Sequence, residues 1–125
     1  MLFTKQNPAF ANFTKPMQKY CLTLDLKDDP KLIAEYEEYH TSVWPEIKAS
    51  ITGSGITNME IYRFDNRLFM IMETDDDFTF KKKAEMDLDN PKVQEWETLM
   101  WRFQQPLKNA AKGEKWVLMN KIFQL

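Results

Sequence analysis

The run Leu68-Phe69-Met70-Ile71-Met72 constrains the fold more than any other stretch of this chain. Successive side chains of a strand point to opposite faces of its sheet. A strand that is apolar at every position therefore asks for apolar cover on both faces. Helices from the same chain can supply one cover. In a chain of 125 residues a second subunit is the natural source of the other, so a homodimer is expected. Asp65-Asn66, just before the run, is turn chemistry. It makes Ile56 to Phe64 and Leu68 to Thr74 a hairpin.

The remaining elements follow from period and punctuation. From Gln18 to Leu26 the residues alternate, with Tyr20, Leu22, Leu24 and Leu26 on one side and Cys21, Thr23 and Asp25 on the other. That period of two predicts a strand. Asp29-Pro30 starts a helix, with a carboxylate cap before a proline at the first helical position. This helix is expected from Pro30 to about Thr52, broken near Trp44 because Pro45 has no N–H and crowds the preceding turn. Gly53 and Gly55 end it. Asp75-Asp76-Asp77 is read as the acidic start of a helix through Phe80, the lysines 81–83 and Met86. Asn90-Pro91 starts another, with Val93, Trp96, Leu99, Met100 and Phe103 as its apolar stripe. Pro106 ends that helix, and Lys115 to Phe123 is the expected last strand. The order βαββαβ is the ferredoxin-like pattern. The predicted fold class is α+β, with an antiparallel sheet and both helical segments on one face. Residues 17–125 form that domain, and residues 1–16 an N-terminal arm without the continuous apolar run of a signal peptide.

Charge and cysteine content narrow the function. A net charge of -2 offers no basic footprint for nucleic acid. No apolar run approaches the length of a membrane span. The single cysteine, Cys21, has no partner in the chain, and no Cys/His spacing matches a zinc site. No metal or cofactor is expected. A reducing, cytoplasmic setting is expected.

The one histidine, His40, lies four residues after Tyr36, so a helix stacks the two on one face. Leu32, Ile33, Val43, Trp44 and Ile47 fall on or beside that face. A core histidine held by a hydrogen bond accounts for this stripe, and so does an acid/base residue in a pocket. Trp44, Trp96 and Trp101 are possible flat surfaces for a ligand. Tyr36, Tyr39 and Tyr62 are possible donors, with Tyr39 expected on the surface. Glu46, Glu60 and Glu97 are possible acceptors.

Tyr36-x-x-x-His40 followed by Trp44-Pro45-Glu46 resembles the L-rhamnose mutarotase family. The resemblance continues through Asn58 to Tyr62, Leu68 to Glu73 and Gln94-Glu95-Trp96, covering roughly Tyr20 to Leu125. It implies a dimeric α/β barrel of ferredoxin-like subunits that interconverts the α and β anomers of a 6-deoxy-L-hexose without a cofactor. It also implies His40 as the acid/base residue and Tyr36 as a sugar contact, with Trp96 matching a tryptophan that contacts sugar. Two positions depart from the family. Met59 stands where the family has a tyrosine, and Glu97 where it has a second tryptophan. These substitutions make L-fucose a candidate beside L-rhamnose. The expected site is therefore His40 with Tyr36, Trp96, Glu97, Met59 and Trp44. The competing expectations are a non-catalytic sugar-binding or regulatory dimeric barrel, and a haem-binding or aromatic-oxidising relative with His40 as axial ligand.

Overall fold

The computed structural model describes residues 17–125; the arm expected over residues 1–16 lies outside them. The described elements are β1 (Gln18–Leu26), α1 (Pro30–Tyr39), α2 (Pro45–Gly53), β2 (Ile56–Phe64), β3 (Arg67–Thr74), α3 (Phe80–Leu88), α4 (Pro91–Trp101), β4 (Gln104–Gln105) and β5 (Val117–Leu118). The sheet runs β2-β3-β1-β4, and β5 also pairs with β1. Every pairing is antiparallel. The expected α+β, ferredoxin-like architecture is present, as an open sheet.

Register decides which face is which. Leu22 pairs with Met70, Leu24 with Leu68 and Tyr20 with Met72. Met59 and Ile61 of β2 continue the same rows against Met72 and Met70. This face lies under the helices, and Leu22, Leu24, Leu26, Leu68, Met70 and Met72 are buried. The other face carries Cys21, Thr23, Phe69 and Ile71, with Glu60 and Tyr62 opposite the last two. Phe69 and Ile71 are only half-buried. Within one subunit, then, the apolar run is covered on one face alone.

Two buried clusters lie between sheet and helices. The first joins Leu26, Tyr36, Ile47, Leu68, Val93, Trp96, Met100 and Phe103. The second joins Leu22, Ile56, Met70, Met72 and Phe78. Ile51, Ile61 and Trp116 pack against both.

The expected helix break is real and wider than one residue. α1 ends at Tyr39, and α2 begins at Pro45. Asp29 caps α1 by accepting hydrogen bonds from the Lys31 and Leu32 amides at 2.9 and 3.3 Å. The three aspartates do not begin α3. Thr79 is its cap, accepting from the Lys82 amide at 3.1 Å, while Asp75 accepts from the Asp77 amide and closes a turn. A hydroxyl that reaches the first-turn amide outranks acidic residues lying too far upstream. The last strand is shorter than expected. β4 already pairs with Asp25 and Leu26, so β5 meets β1 only at Leu22 and Thr23, and one further bond runs from the Met119 amide to the Cys21 carbonyl. Tyr39 is not a surface residue. It is half-buried, with its ring 5.7 Å from that of Phe103 and 6.4 Å from that of Trp96.

Gly55 joins α2 to β2 with φ +98°, and a Cβ there would sit 2.8 Å from Asp75 Oδ1. Its carbonyl accepts from the Asp75 amide at 2.8 Å, so backbone and side chain both fix the site. Gly53, two residues earlier at the end of α2, has open space around a would-be Cβ. Opposite outcomes are expected in urea denaturation. Gly55→Ala should lower stability by about 1–2 kcal/mol or more. Gly53→Ala should raise it by about 0.4–1 kcal/mol. Equal shifts for the two variants would contradict this account.

Candidate active site

The site begins at the end of α1. The last carbonyls of a helix have no intrahelical partner. Here the His40 amide donates to the Glu37 carbonyl at 3.0 Å, an i to i-3 bond that tightens the turn. The Tyr36 carbonyl, one residue further back, is met by His40 Nδ1 at 2.8 Å. A carbonyl only accepts, so Nδ1 carries the hydrogen. In the neutral ring Nε2 is then the unprotonated nitrogen, able to take a proton. The Tyr36 ring lies 4.4 Å from the imidazole, and the Trp96 ring stands 5.8 Å away, edge-on.

His40 lines a cavity of about 350 Å³ between the helices and the sheet, within the usual range for small-molecule sites. Its floor is the helix-facing side of the sheet: Leu22, Ile56, Met59, Ile61, Met70 and Met72. Tyr36, Ile47, Ile51, Val93, Trp96 and Met100 close it from the helices. Polar groups are few: His40, Tyr36, Ser50, Glu97 and Gln104, with Lys83 and Asp87 on α3. An apolar chamber with a few polar groups suits a small polar ligand with one hydrophobic side.

The electrostatics give each group a role. Burial pushes the Tyr36 phenol up to about 12; a hydrogen bond from the Gln104 amide opposes the shift, and the charge on Glu97 adds to it. Tyr36 is therefore a neutral donor throughout the physiological range. Glu97 Oε1 accepts from Lys115 Nζ at 2.7 Å, and the same ammonium reaches the Glu97 carbonyl at 3.1 Å. It also sits 4.5 Å above the ring of Trp101. Lys115 thus fixes the Glu97 carboxylate at the cavity wall. Lys83 and Asp87 form a second pair at 2.6 Å, both largely buried.

Five of the six expected site residues meet at this cavity: His40, Tyr36, Met59, Trp96 and Glu97. Trp44 does not reach it. Its ring packs edge-on against Trp96 at 5.0 Å and borders a separate shallow depression with Glu35 and Tyr39. Trp44 therefore buttresses Trp96. Glu60 and Tyr62 lie on the open face of the sheet, where the Tyr62 hydroxyl donates to Glu60 at 3.1 Å. Trp101 lies under Lys115. Three features escaped the sequence reading: Gln104, Trp116 and the Lys83–Asp87 pair. The pair had a visible signal. Phe80, Lys83 and Asp87 fall at i, i+3 and i+7 on one helical face, so Lys83 belongs to the cavity side of the lysine triplet. Gln104 and Trp116 carry no comparable signal, since loop closure alone brings them in.

A family model described as L-rhamnose mutarotase matches residues 19–125 of this chain. An L-fucose mutarotase of Xanthomonas campestris is 47% identical over 111 residues, which cover 87% of this chain and 89% of that protein. An L-rhamnose mutarotase of Lactiplantibacillus plantarum is 31% identical over 80 residues, 60% of this chain and 69% of that one. In three dimensions, an L-rhamnose mutarotase from Formosa agariphila matches with a TM-score of 0.64 at 19% identity, over 86% of this chain and 98% of its own. The tetracenomycin F2 cyclase of Streptomyces glaucescens matches with a TM-score of 0.55 at 16% identity, covering 86% of this chain and 96% of its own. These two structural matches concern the fold, which hosts more than one chemistry. The sequence relationship goes further: by the family model over residues 19–125 and the 47% identity across most of its length, the chain belongs to the L-rhamnose mutarotase family.

Proposed function

We propose that this protein is a sugar mutarotase that interconverts the α and β anomers of a 6-deoxy-L-hexose, with His40 as the acid/base group. The observation that carries this reading is the Nδ1 bond to the Tyr36 carbonyl, which leaves Nε2 as the unprotonated nitrogen of a ring that lines a half-open, largely apolar cavity. In ring opening, Nε2 takes the proton of the anomeric hydroxyl, the bond from the anomeric carbon to the ring oxygen breaks, and the ring oxygen receives a proton. Both oxygens are attached to the anomeric carbon, so one imidazole serves both. The open aldehyde turns about its C1–C2 bond. Closure then reverses the transfers on the other face. Tyr36 offers the sugar a neutral donor, and Trp96 a flat apolar surface for its C–H groups. The charge balance needs no metal, redox group or covalent intermediate.

L-Fucose is the sugar we favour. The fucose-named relative is 47% identical, whereas the rhamnose-named relatives are 28–34% identical. Met59 and Glu97, the two departures from the family pattern, both line the cavity. L-Fucose and L-rhamnose differ in the orientation of their C2 and C4 hydroxyls, and a carboxylate held in place by Lys115 is an acceptor able to discriminate between them. The enzyme acts as a homodimer in the cytoplasm. No helix among the described residues is long and apolar enough to cross a membrane, and Cys21 is a free thiol, in keeping with a reducing compartment.

Three measurements test this reading. Saturation-transfer NMR between the anomers should show His40→Asn slower than wild type by about 10²–10⁴-fold, with an unchanged circular dichroism spectrum; near-wild-type exchange would remove His40 from the mechanism. Binding of L-fucose without exchange by the wild type would instead make this a sugar-binding protein. The same NMR experiment on both sugars should show the fucose-to-rhamnose ratio falling more than about fivefold in Met59→Tyr/Glu97→Trp, roughly 1 kcal/mol of transition-state discrimination. An unchanged ratio would place specificity elsewhere. For the dimer, sedimentation equilibrium at micromolar concentration should give twice the subunit mass of 14.9 kDa. Phe69 and Ile71, half-exposed at successive outward positions of β3, motivate this expectation, since apolar side chains left open on a sheet face mark an interaction surface; a single-subunit mass would refute it.

A further inference from the structure

Gln104 is buried, with 4% of its surface exposed, and it lines the cavity. Its backbone is fixed by β4, where Gln104 is paired with Leu26, and by the bond from the Lys27 amide to the neighbouring Phe103 carbonyl at 2.8 Å. The side-chain amide reaches Tyr36. Its oxygen, Oε1, has no hydrogen-bond partner; among the described residues it is the only buried side-chain nitrogen or oxygen in that condition. Leaving such an atom unpaired costs free energy, and removing the polar group altogether can be neutral or stabilising. A methionine of nearly the same shape would fill this place without an unpaired oxygen, giving up only the amide's bond to Tyr36. A buried glutamine kept at an expense to the fold, on the wall of a binding cavity, calls for a partner that the free protein lacks.

We propose that Gln104 is a specificity-determining residue whose amide oxygen accepts a hydrogen bond from a ring hydroxyl of the bound sugar. The inference rests on the mutarotase reading and assigns that site a contact beyond His40, Tyr36, Met59, Trp96 and Glu97. The terminal torsion of glutamine is broad, so the amide turns toward a hydroxyl in the cavity while the backbone stays paired in β4. Gln104 and Glu97 lie at the same cavity and both offer acceptors, so a sugar with two suitably oriented hydroxyls satisfies both. A sugar with one of them inverted leaves Gln104 unpaired, as it is in the free protein. That mismatch penalises the wrong epimer more strongly than a lost apolar contact does.

The experiment is a cycle between the residue and the sugar. Exchange rates and their concentration dependence are measured for wild type and Gln104→Met with L-fucose and with its 2-, 3- and 4-deoxy analogues, after subtracting uncatalysed mutarotation. Gln104→Met should lose about three- to tenfold in kcat/KM with L-fucose. It should lose nothing further with the one analogue that lacks the partner hydroxyl. Its circular dichroism spectrum should match that of wild type, so that the rates are read on a folded protein. Equal losses with L-fucose and all three analogues would mean that Gln104 touches no hydroxyl, and would overturn the proposal while leaving the mutarotase reading intact. No exchange by wild type with any of these sugars would overturn both. A second readout uses only wild-type protein. The side-chain amide resonances of Gln104 should move when L-fucose saturates the site and stay in place with the analogue that lacks the partner hydroxyl. Resonances indifferent to L-fucose would overturn the proposal even if Gln104→Met fails to fold.

Discussion

Pro45 sets the geometry of this site by separating two helices, the first of which ends six residues before it. It has no amide hydrogen to give, and its ring crowds the preceding turn, so α1 and α2 cannot be one rod. α1 closes with a tightened turn at His40, which leaves the Tyr36 carbonyl without its usual amide partner. The imidazole of His40 supplies a donor in that place. The bond that completes the helix end is therefore the one that fixes the tautomer of the ring. It also stacks His40 against Tyr36 and aims the pair at the space between helices and sheet. Had the helix continued, the carbonyl would have been taken by the backbone and Nδ1 would have had no fixed partner. Satisfying the backbone and fixing the tautomer are one interaction here.

Much of this was legible in the sequence, because local rules and tertiary packing agree. The alternation in β1, the Asp29-Pro30 start, the break before Pro45 and the Asp65-Asn66 turn all appear where propensity puts them, with Asp65 at a positive φ of 53°. The i, i+4 relation of Tyr36 and His40 survives because His40, just past the end of α1, keeps a helical backbone with φ -84° and ψ -5°. The differences arise where two local signals compete or where distant segments meet. Thr79 prevails over three aspartates because a cap must lie within reach of the first free amides. β5 is short because β4 had already taken part of the β1 edge. Trp44 carried the same aromatic signal as Trp96, yet only packing decides which indole faces the cavity and which supports its neighbour. Gln104 and Trp116 join the site through long-range closure, to which period and motif are blind.

The cavity has a division of labour that follows from the two-layer fold. The sheet contributes an apolar floor because its helix-facing positions must be apolar for the layers to pack at all. Polar groups enter from the rim of the helical layer and from strand ends. Three of them are tied down by a partner: His40 by the Tyr36 carbonyl, Glu97 by Lys115, and Asp87 by Lys83, which itself lines the cavity. Groups held by such neighbours keep little conformational freedom to lose, so a bound ligand would spend little of its binding energy on ordering them.

The same economy explains why the helix-free face of the sheet differs so much from the covered one. On the covered face, alternate residues of β1 and β3 are buried by the chain itself. On the open face Phe69 and Ile71 remain half-exposed beside the polar pair Glu60 and Tyr62. A strand that must present apolar side chains at consecutive positions gains full burial only if something packs on both faces. A single ferredoxin-like subunit has helices enough for one. The open face therefore takes no part in lining the cavity. Because His40, Tyr36 and Gln104 line the cavity on the covered side of the sheet, changes on the open face leave that lining untouched. Any effect they have on the cavity must pass through β1, β2 and β3, the three strands that carry side chains on both faces.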